Sequence, residues 1–196
     1  MNRKASTLIE HSLHSMEVLP RSVHLPDKEK GIIDNLYVRR SLLKNEVIRT
    51  NTADEYVYFI EEGALGSFVS VNDKKKMHRI LLEGSFTGLT LWTNDMPTPS
   101  FQALSNSIVW RANLRQFIDF CLQSPLMNSV YLKLIEHEIS ERSYLWLLQV
   151  TCSPIERYLK LLKSHRKLFQ AVPLKYLASY INVTPQSLSR LRRRIK

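Results

Sequence analysis

All five glycines of this 196-residue chain, Gly31, Gly63, Gly66, Gly84 and Gly88, lie before residue 89. Glycine marks turns and bulges among strands and is costly inside helices. The distribution therefore predicts a strand-rich first half and a helical second half. The local pattern agrees. Tyr56-Val57-Tyr58-Phe59-Ile60 is rich in β-formers and leads through Glu61-Glu62-Gly63 into a second run, Ala64 to Val71. Asn72-Asp73 then reads as a turn before Met77 to Leu82. Several short antiparallel strands are expected over about Leu36 to Ala112, closing on themselves as a barrel-like roll.

Prolines punctuate the helical half. Ser124-Pro125, Ser153-Pro154 and Thr184-Pro185 each pair a hydroxyl cap with proline at the first helical position, where no backbone donor is lost. Pro173 is expected to open a helix in the same way. Ser153-Pro154-Ile155-Glu156 also reads as a capping box. No helix breaker falls between Pro125 and about Val150. Met127, Tyr131, Leu134, Leu145 and Leu148 form a heptad-like seam there, interrupted by Glu138 and Glu141. Two readings stay open: a coiled-coil dimer contact, favoured here, or a face packed on the chain's own β-domain.

The net charge of +10 is concentrated at one end. Residues 151–196 hold eleven Lys or Arg against the single acid Glu156, while residues 1–150 balance to zero. A neutral body with a strongly basic end is the footprint of a polyanion binder. Within that end, Leu174, Leu177, Ala178 and Ile181 share one helical face. Asn182 follows, a residue that tolerates the left-handed conformation of a sharp inter-helix turn. Thr184 then caps a second helix with Leu188, Leu191 and Ile195 on its apolar back. Its front presents Gln186, Ser189, Arg190 and Arg193. An apolar back with a Gln/Ser/Arg front suits a recognition helix in the DNA major groove. Gln186, Arg190 and Arg193 are the expected base readers, with Lys175, Thr184, Ser187, Ser189, Arg192 and Arg194 as phosphate contacts.

Other classes are poorly supported. No apolar run approaches the roughly 18 residues needed to cross a bilayer, and Met1 to Glu17 contains no secretion-type core. A cytoplasmic protein without a membrane partner is expected. No phosphate loop, G-x-S-x-G, H-E-x-x-H or paired metal spacing points to an enzyme, and no cofactor is expected. His11 and His14 sit three apart on a probable helix without an evident third ligand, so surface roles are expected. Cys121 and Cys152 have no metal or redox spacing and should be free thiols. Cys152, near a domain junction, is the candidate redox residue.

With these residues in view, the chain resembles the CRP/FNR family of bacterial regulators over roughly Val38 to Lys196. Tyr58-Phe59-Ile60-Glu61-Glu62-Gly63 is similar to the family's strand-turn Y-I-x-x-G, and Glu83-Gly84-Ser85-Phe86-Thr87-Gly88 to its x-G-D-F-x-G. The resemblance implies an α+β fold: a cyclic-nucleotide-binding-like β-roll, a long dimerisation helix and a C-terminal helix-turn-helix lacking most of the wing. The implied division is an N-terminal helical extension at 1–35, the roll at 36–123, the connecting helix at 124–152 and the DNA-binding domain at 153–196. Double-stranded DNA, a second copy of the chain and RNA polymerase are the implied partners. The likeness to an enterobacterial member implies a hydrogen peroxide stress role.

The departures matter as well. Leu89 stands where cyclic-AMP-binding members carry a ribose-binding glutamate, and Pro97 and Thr98 stand near the place of their phosphate-binding Arg-Ser pair. A buried phosphate without arginine lacks its charge-assisted partner, so cyclic-nucleotide binding is not expected. No cysteine cluster near the N-terminus could hold iron and sulfur. Pro185 takes the place of a frequent base reader. The rival reading is a degenerate regulator that docks a protein through Asp54-Glu55, Glu61-Glu62 or Lys74-Lys75-Lys76.

Overall fold

A computed structural model describes residues 4–49, 56–71, 74–89, 99–164 and 172–195. Two helices, α1 (Ala5–Ser15) and α2 (Asp27–Leu36), precede the strands. Eight strands follow: β1 (Val38–Leu42), β2 (Val47–Arg49), β3 (Tyr56–Glu62), β4 (Ala64–Val71), β5 (Lys74–Leu82), β6 (Phe86–Thr87), β7 (Ser100–Ala103) and β8 (Ser107–Asn113). The chain then becomes helical: α3 (Leu114–Gln123), α4 (Pro125–Thr151), α5 (Pro154–Ser164), α6 (Leu174–Tyr180) and α7 (Pro185–Ile195).

The strands form two antiparallel four-stranded sheets, ordered β1-β8-β3-β6 and β2-β7-β4-β5. This is the interleaved order of a jelly roll. Strand β3 shows why its sequence is a continuous apolar run. Tyr58 and Ile60 enter the core between the sheets with Leu65, Phe101 and Val109. Val57 and Phe59 enter a second core with Trp110, α1, α2, α3 and the first half of α4. Successive side chains point to opposite faces, and here both faces are covered.

The glycine motifs are backbone requirements. Gly63 has φ +90°, and a Cβ there would sit 2.3 Å from the Ser107 Oγ. That hydroxyl in turn accepts the Ala64 N–H at 3.2 Å, tying β4 to the start of β8. Gly88 has φ +78°, and its Cβ would meet the Tyr56 carbonyl oxygen at 2.2 Å. Any side chain at either place would push two strands apart.

The helix caps follow the sequence. Ser124 accepts the Met127 N–H, Ser153 and Glu156 form a reciprocal capping box, and Thr184 accepts the Ser187 N–H. Pro173 differs slightly, taking the cap position itself, one residue before α6.

The seam expected to join two copies faces inward. Met127, Leu134 and Leu148 are buried within the chain, and Leu145 and Tyr131 are partly buried against the same cores. Glu138, read as an interruption of a dimer seam, is buried against Arg79 of β5 at 2.6 Å. The opposite face of α4 leaves Leu132, Ile139 and Trp146 exposed at seven-residue spacing, with Val150 continuing the stripe. The heptad reading thus selected the face that the β-roll, the N-terminal helices and α3 cover. A buried carboxylate needs a cation, and the roll supplies one.

Candidate functional site

The C-terminal end is built as two short helices around one sharp turn. Leu177, Ala178, Ile181 and Leu188 are buried together, with Val183 packed against them. Ala178, fully buried, lets α7 cross close to α6. Asn182 has φ +57° in the turn, the left-handed conformation that its residue type tolerates. With its back packed on α6, α7 turns its other face outward. Gln186, Arg190, Arg192 and Arg193 are exposed, and Ser189 is half-buried.

The remaining expected phosphate contacts divide by what they already touch. The Thr184 hydroxyl accepts the Ser187 N–H at 3.1 Å and donates to the Ser187 Oγ at 2.9 Å. Arg190 reaches the same Ser187 Oγ at 3.5 Å. The two hydroxyls therefore serve first as the cap of α7. Lys175 is exposed, with its ammonium 4.6 Å above the Tyr176 ring. The side chain of Arg194 lies outside the described residues, as do Lys196 and the tract 165–171. Part of the basic charge is structural. Arg157 is buried and donates to the carbonyls of Gln149 and Cys152, closing the end of α4.

The helix pair is seated on the roll. The Met77 N–H donates to the Ser179 Oγ at 3.3 Å, and Phe68 meets Tyr176 edge-on at 5.6 Å. The next residues of β5 grip α4. The Arg79 guanidinium donates to Glu138, lies 3.6 Å from Glu141, and shares Glu138 with Arg142. Beside it, burial pushes His78 down to about 4, helped by the positive charges of Arg79 and Arg142. The His78 Nε2 lies 2.8 Å from the Ser67 Oγ. Sequence reasoning missed Arg79 and its grip on α4. The signal was present in Glu138, an acid on an otherwise apolar stripe.

A cavity of about 510 Å³ lies where the roll meets α4 and α1, lined among others by Ser12, Ser15, Arg79, Gly84, Leu89 and Glu138. Leu89 is buried, and its carbonyl accepts the Tyr131 hydroxyl at 2.9 Å. Pro97 and Thr98 lie outside the described residues.

The two thiols differ. Cys121 is buried, which pushes its thiol up to about 12 and makes it unreactive. Cys152, at the end of α4, is half-buried with the Lys160 Nζ 3.2 Å from its Sγ. That contact holds the lysine above its ordinary value. Neither cysteine is in a disulfide. Of the surfaces considered for protein docking, Glu61 is removed. It is buried and accepts from the Arg39 Nε at 2.9 Å and the Trp110 Nε1 at 2.8 Å. Lys75 and Lys76 are both exposed, with the Lys75 ammonium against the Phe68 ring and Gln102. Asp54-Glu55 and the Lys74 side chain lie outside the described residues.

Comparison with known proteins agrees with this layout. Residues 39–124 match the cyclic nucleotide-binding domain. FixK2 from Bradyrhizobium japonicum superposes with a TM-score of 0.69 at 18% identity, covering 82% of this chain and 84% of that one. A protein from Eubacterium rectale assigned to the CRP/FNR transcriptional regulators gives 0.68 at 12% identity, covering 90% and 86%. The c-di-GMP responsive global regulator CLP of Xanthomonas campestris gives 0.63 at 12% identity, covering 87% and 91%. No curated protein matches by sequence. At these identities the likeness establishes a shared fold. Among the described residues no helix is long and apolar enough to cross a membrane.

Proposed function

We propose that the chain is a DNA-binding transcriptional regulator of the CRP/FNR type, acting as a homodimer on a two-part site. One observation carries the reading. The turn at Asn182 and the buried backs of α6 and α7 leave Gln186, Arg190 and Arg193 together on an exposed, basic face. Arginine can bridge guanine O6 and N7, and glutamine can pair with adenine. Arg192, Arg194 and Lys175 then hold phosphates and set register.

The dimer contact in this reading is the exposed stripe Leu132, Ile139, Trp146 and Val150 of α4. Seven-residue spacing keeps such a stripe on one side of a left-handed coiled coil. Dimerisation would present two copies of α7 to successive turns of the groove. The protein is cytoplasmic and not an enzyme, and RNA polymerase is its further partner on the sequence resemblance alone. The cavity between the roll and α4 is the effector site. It does not accept a cyclic nucleotide, since Leu89 offers nothing to a ribose. The hydrogen peroxide role rests on the sequence resemblance.

The test is selection of bound fragments from genomic DNA, followed by anisotropy titration at several salt concentrations. Affinity should fall steeply with salt as phosphate-bound cations are released. Absence of DNA binding at low salt would overturn the proposal.

A further inference from the structure

The N-terminal helix pair, remote from the DNA-reading face, carries a cluster that the regulator reading does not use. Glu10 and His14 stand one turn apart on α1, and the connector to α2 brings His24 beside them. One ligand atom from each of the three lies within 4.8 Å of the others. Sequence spacing had paired His14 with His11, but His11 is exposed and does not belong to the cluster. The third ligand comes from the loop.

The hydrogen bonding leaves one nitrogen unexplained. The His14 Nδ1 lies 3.1 Å from the Leu19 carbonyl, which can only accept, so this nitrogen carries the ring proton. That leaves Nε2 as the ring nitrogen able to offer a lone pair. It is buried and has no hydrogen-bond partner. A histidine whose other nitrogen donates to a backbone carbonyl has the tautomer and orientation of a metal ligand.

Glu10 is prepared in a complementary way. Its Oε2 pairs with the Lys30 Nζ at 2.9 Å, while Oε1 accepts the Leu25 N–H at 2.8 Å and lies 3.2 Å from the His24 Nδ1. The oxygen facing His24 is thus held in place by the Leu25 N–H, and Lys30 steadies the carboxylate from behind. The His24 side chain is 72% exposed and has room to rotate into place. A tetrahedral zinc ion with ligand distances of about 2.0–2.2 Å places its ligand atoms roughly 3.4 Å apart. The His24–Glu10 separation already meets that spacing.

We propose that Glu10, His14 and His24 form a site for a divalent transition metal of the zinc class, with water completing the coordination. Two imidazoles and one carboxylate suit zinc and exclude the oxygen-only coordination of calcium and magnesium. The ion fastens the α1–α2 connector to α1. Because Ser12 and Ser15 of α1 line the cavity described above, occupancy also fixes one wall of that cavity.

Full-length protein, freed of metal by chelator dialysis, should be titrated with Zn²⁺ against a chromogenic competitor. Melting temperature should be followed in parallel. The account expects one equivalent bound and a rise in melting temperature, because an ion that binds only the folded state stabilises it. His24→Gln should weaken binding by at least about tenfold, the range seen even for outer partners of metal ligands. It should also abolish the thermal shift, and its exposed position leaves the fold intact, as circular dichroism can verify. His11→Gln and Cys152→Ser should behave as the parent. Equal Zn²⁺ affinity in the parent and His24→Gln, or no stoichiometric binding by the parent, overturns the proposal.

Discussion

The core between the two sheets and the cluster that seats the C-terminal helices are both apolar, but they draw on the chain differently. The inter-sheet core takes its buried residues from strands alone, Leu42 to Val109, and Ile60, Leu65, Ala103 and Val109 are sealed from water. The C-terminal cluster is a joint product. Ala64, Phe68, Met77 and Leu104 come from the roll, Leu148 from α4, and the rest from residues after 157. The inter-sheet core is therefore supplied by the roll alone, whereas the C-terminal helices depend on two supports outside themselves. Strand β5 contacts both. Met77 holds α6, and Arg79 holds α4. The position of α6 and α7 is thus a property of the roll's surface, and changes at β5 should be felt at α7.

The most severe break expected is Arg79→Ala. It removes one partner of a pair whose side chains are both only 6% exposed and leaves the buried Glu138 to Arg142 alone. Removing one partner of such a pair costs about 3–5 kcal/mol. Replacing both by apolar residues of similar volume should recover most of the loss. Urea unfolding of the single and double variants measures this, and equal stabilities would remove the pair from the account.

Next in size is a contrast within α4. Leu134→Ala, inside the chain, should cost about 2–5 kcal/mol in urea unfolding. Ile139→Asp and Trp146→Asp, on the exposed stripe, should leave the monomer fold intact while sedimentation shows dissociated chains. Dimers surviving both stripe substitutions would place the two-fold contact elsewhere.

A smaller effect is expected at the turn. Asn182→Val forces a β-branched residue to φ +57°, at a cost on the order of 1–2 kcal/mol, while Asn182→Gly should be tolerated. Differential melting should show the loss in the C-terminal transition and leave the roll unchanged.

The last effect is on pH dependence. His78 is lowered to about 4 from the ordinary 6.5 by burial and the nearby Arg79 and Arg142. Below 6.5 the unfolded chain binds a proton that the folded chain refuses, so stability falls as pH drops from about 6.5 towards 4. His78→Gln should flatten that part of the curve, as urea midpoints across this range would show.

Much of this layout was legible in the sequence because local rules dominate it. The hydroxyl-proline caps and Asn182 each meet a backbone requirement set by near neighbours, and Gly63 and Gly88 mark turns where the backbone takes positive φ. The exposed front of α7 followed from helical periodicity. What escaped notice depends on distant pairs. Glu138 reads as an interruption of an apolar seam until Arg79, 59 residues away, is brought against it. Glu61 looks like hairpin surface until Arg39 and Trp110 cover it. The direction of the α4 seam failed for the same reason. Periodicity gives two apolar stripes, and only the docked roll shows which one it covers.

The central claim is that α7 reads DNA through Arg190 while neighbouring cations only hold phosphate. Its most direct test is anisotropy of the parent, Arg190→Ala and Arg192→Ala on a selected genomic site and on a scrambled version, across salt concentrations. Arg190→Ala should lose about 1–3 kcal/mol on the selected site and little on scrambled DNA. Arg192→Ala should weaken both alike and lower the salt slope by about one unit. Equal losses on the two DNAs for Arg190→Ala would contradict the account.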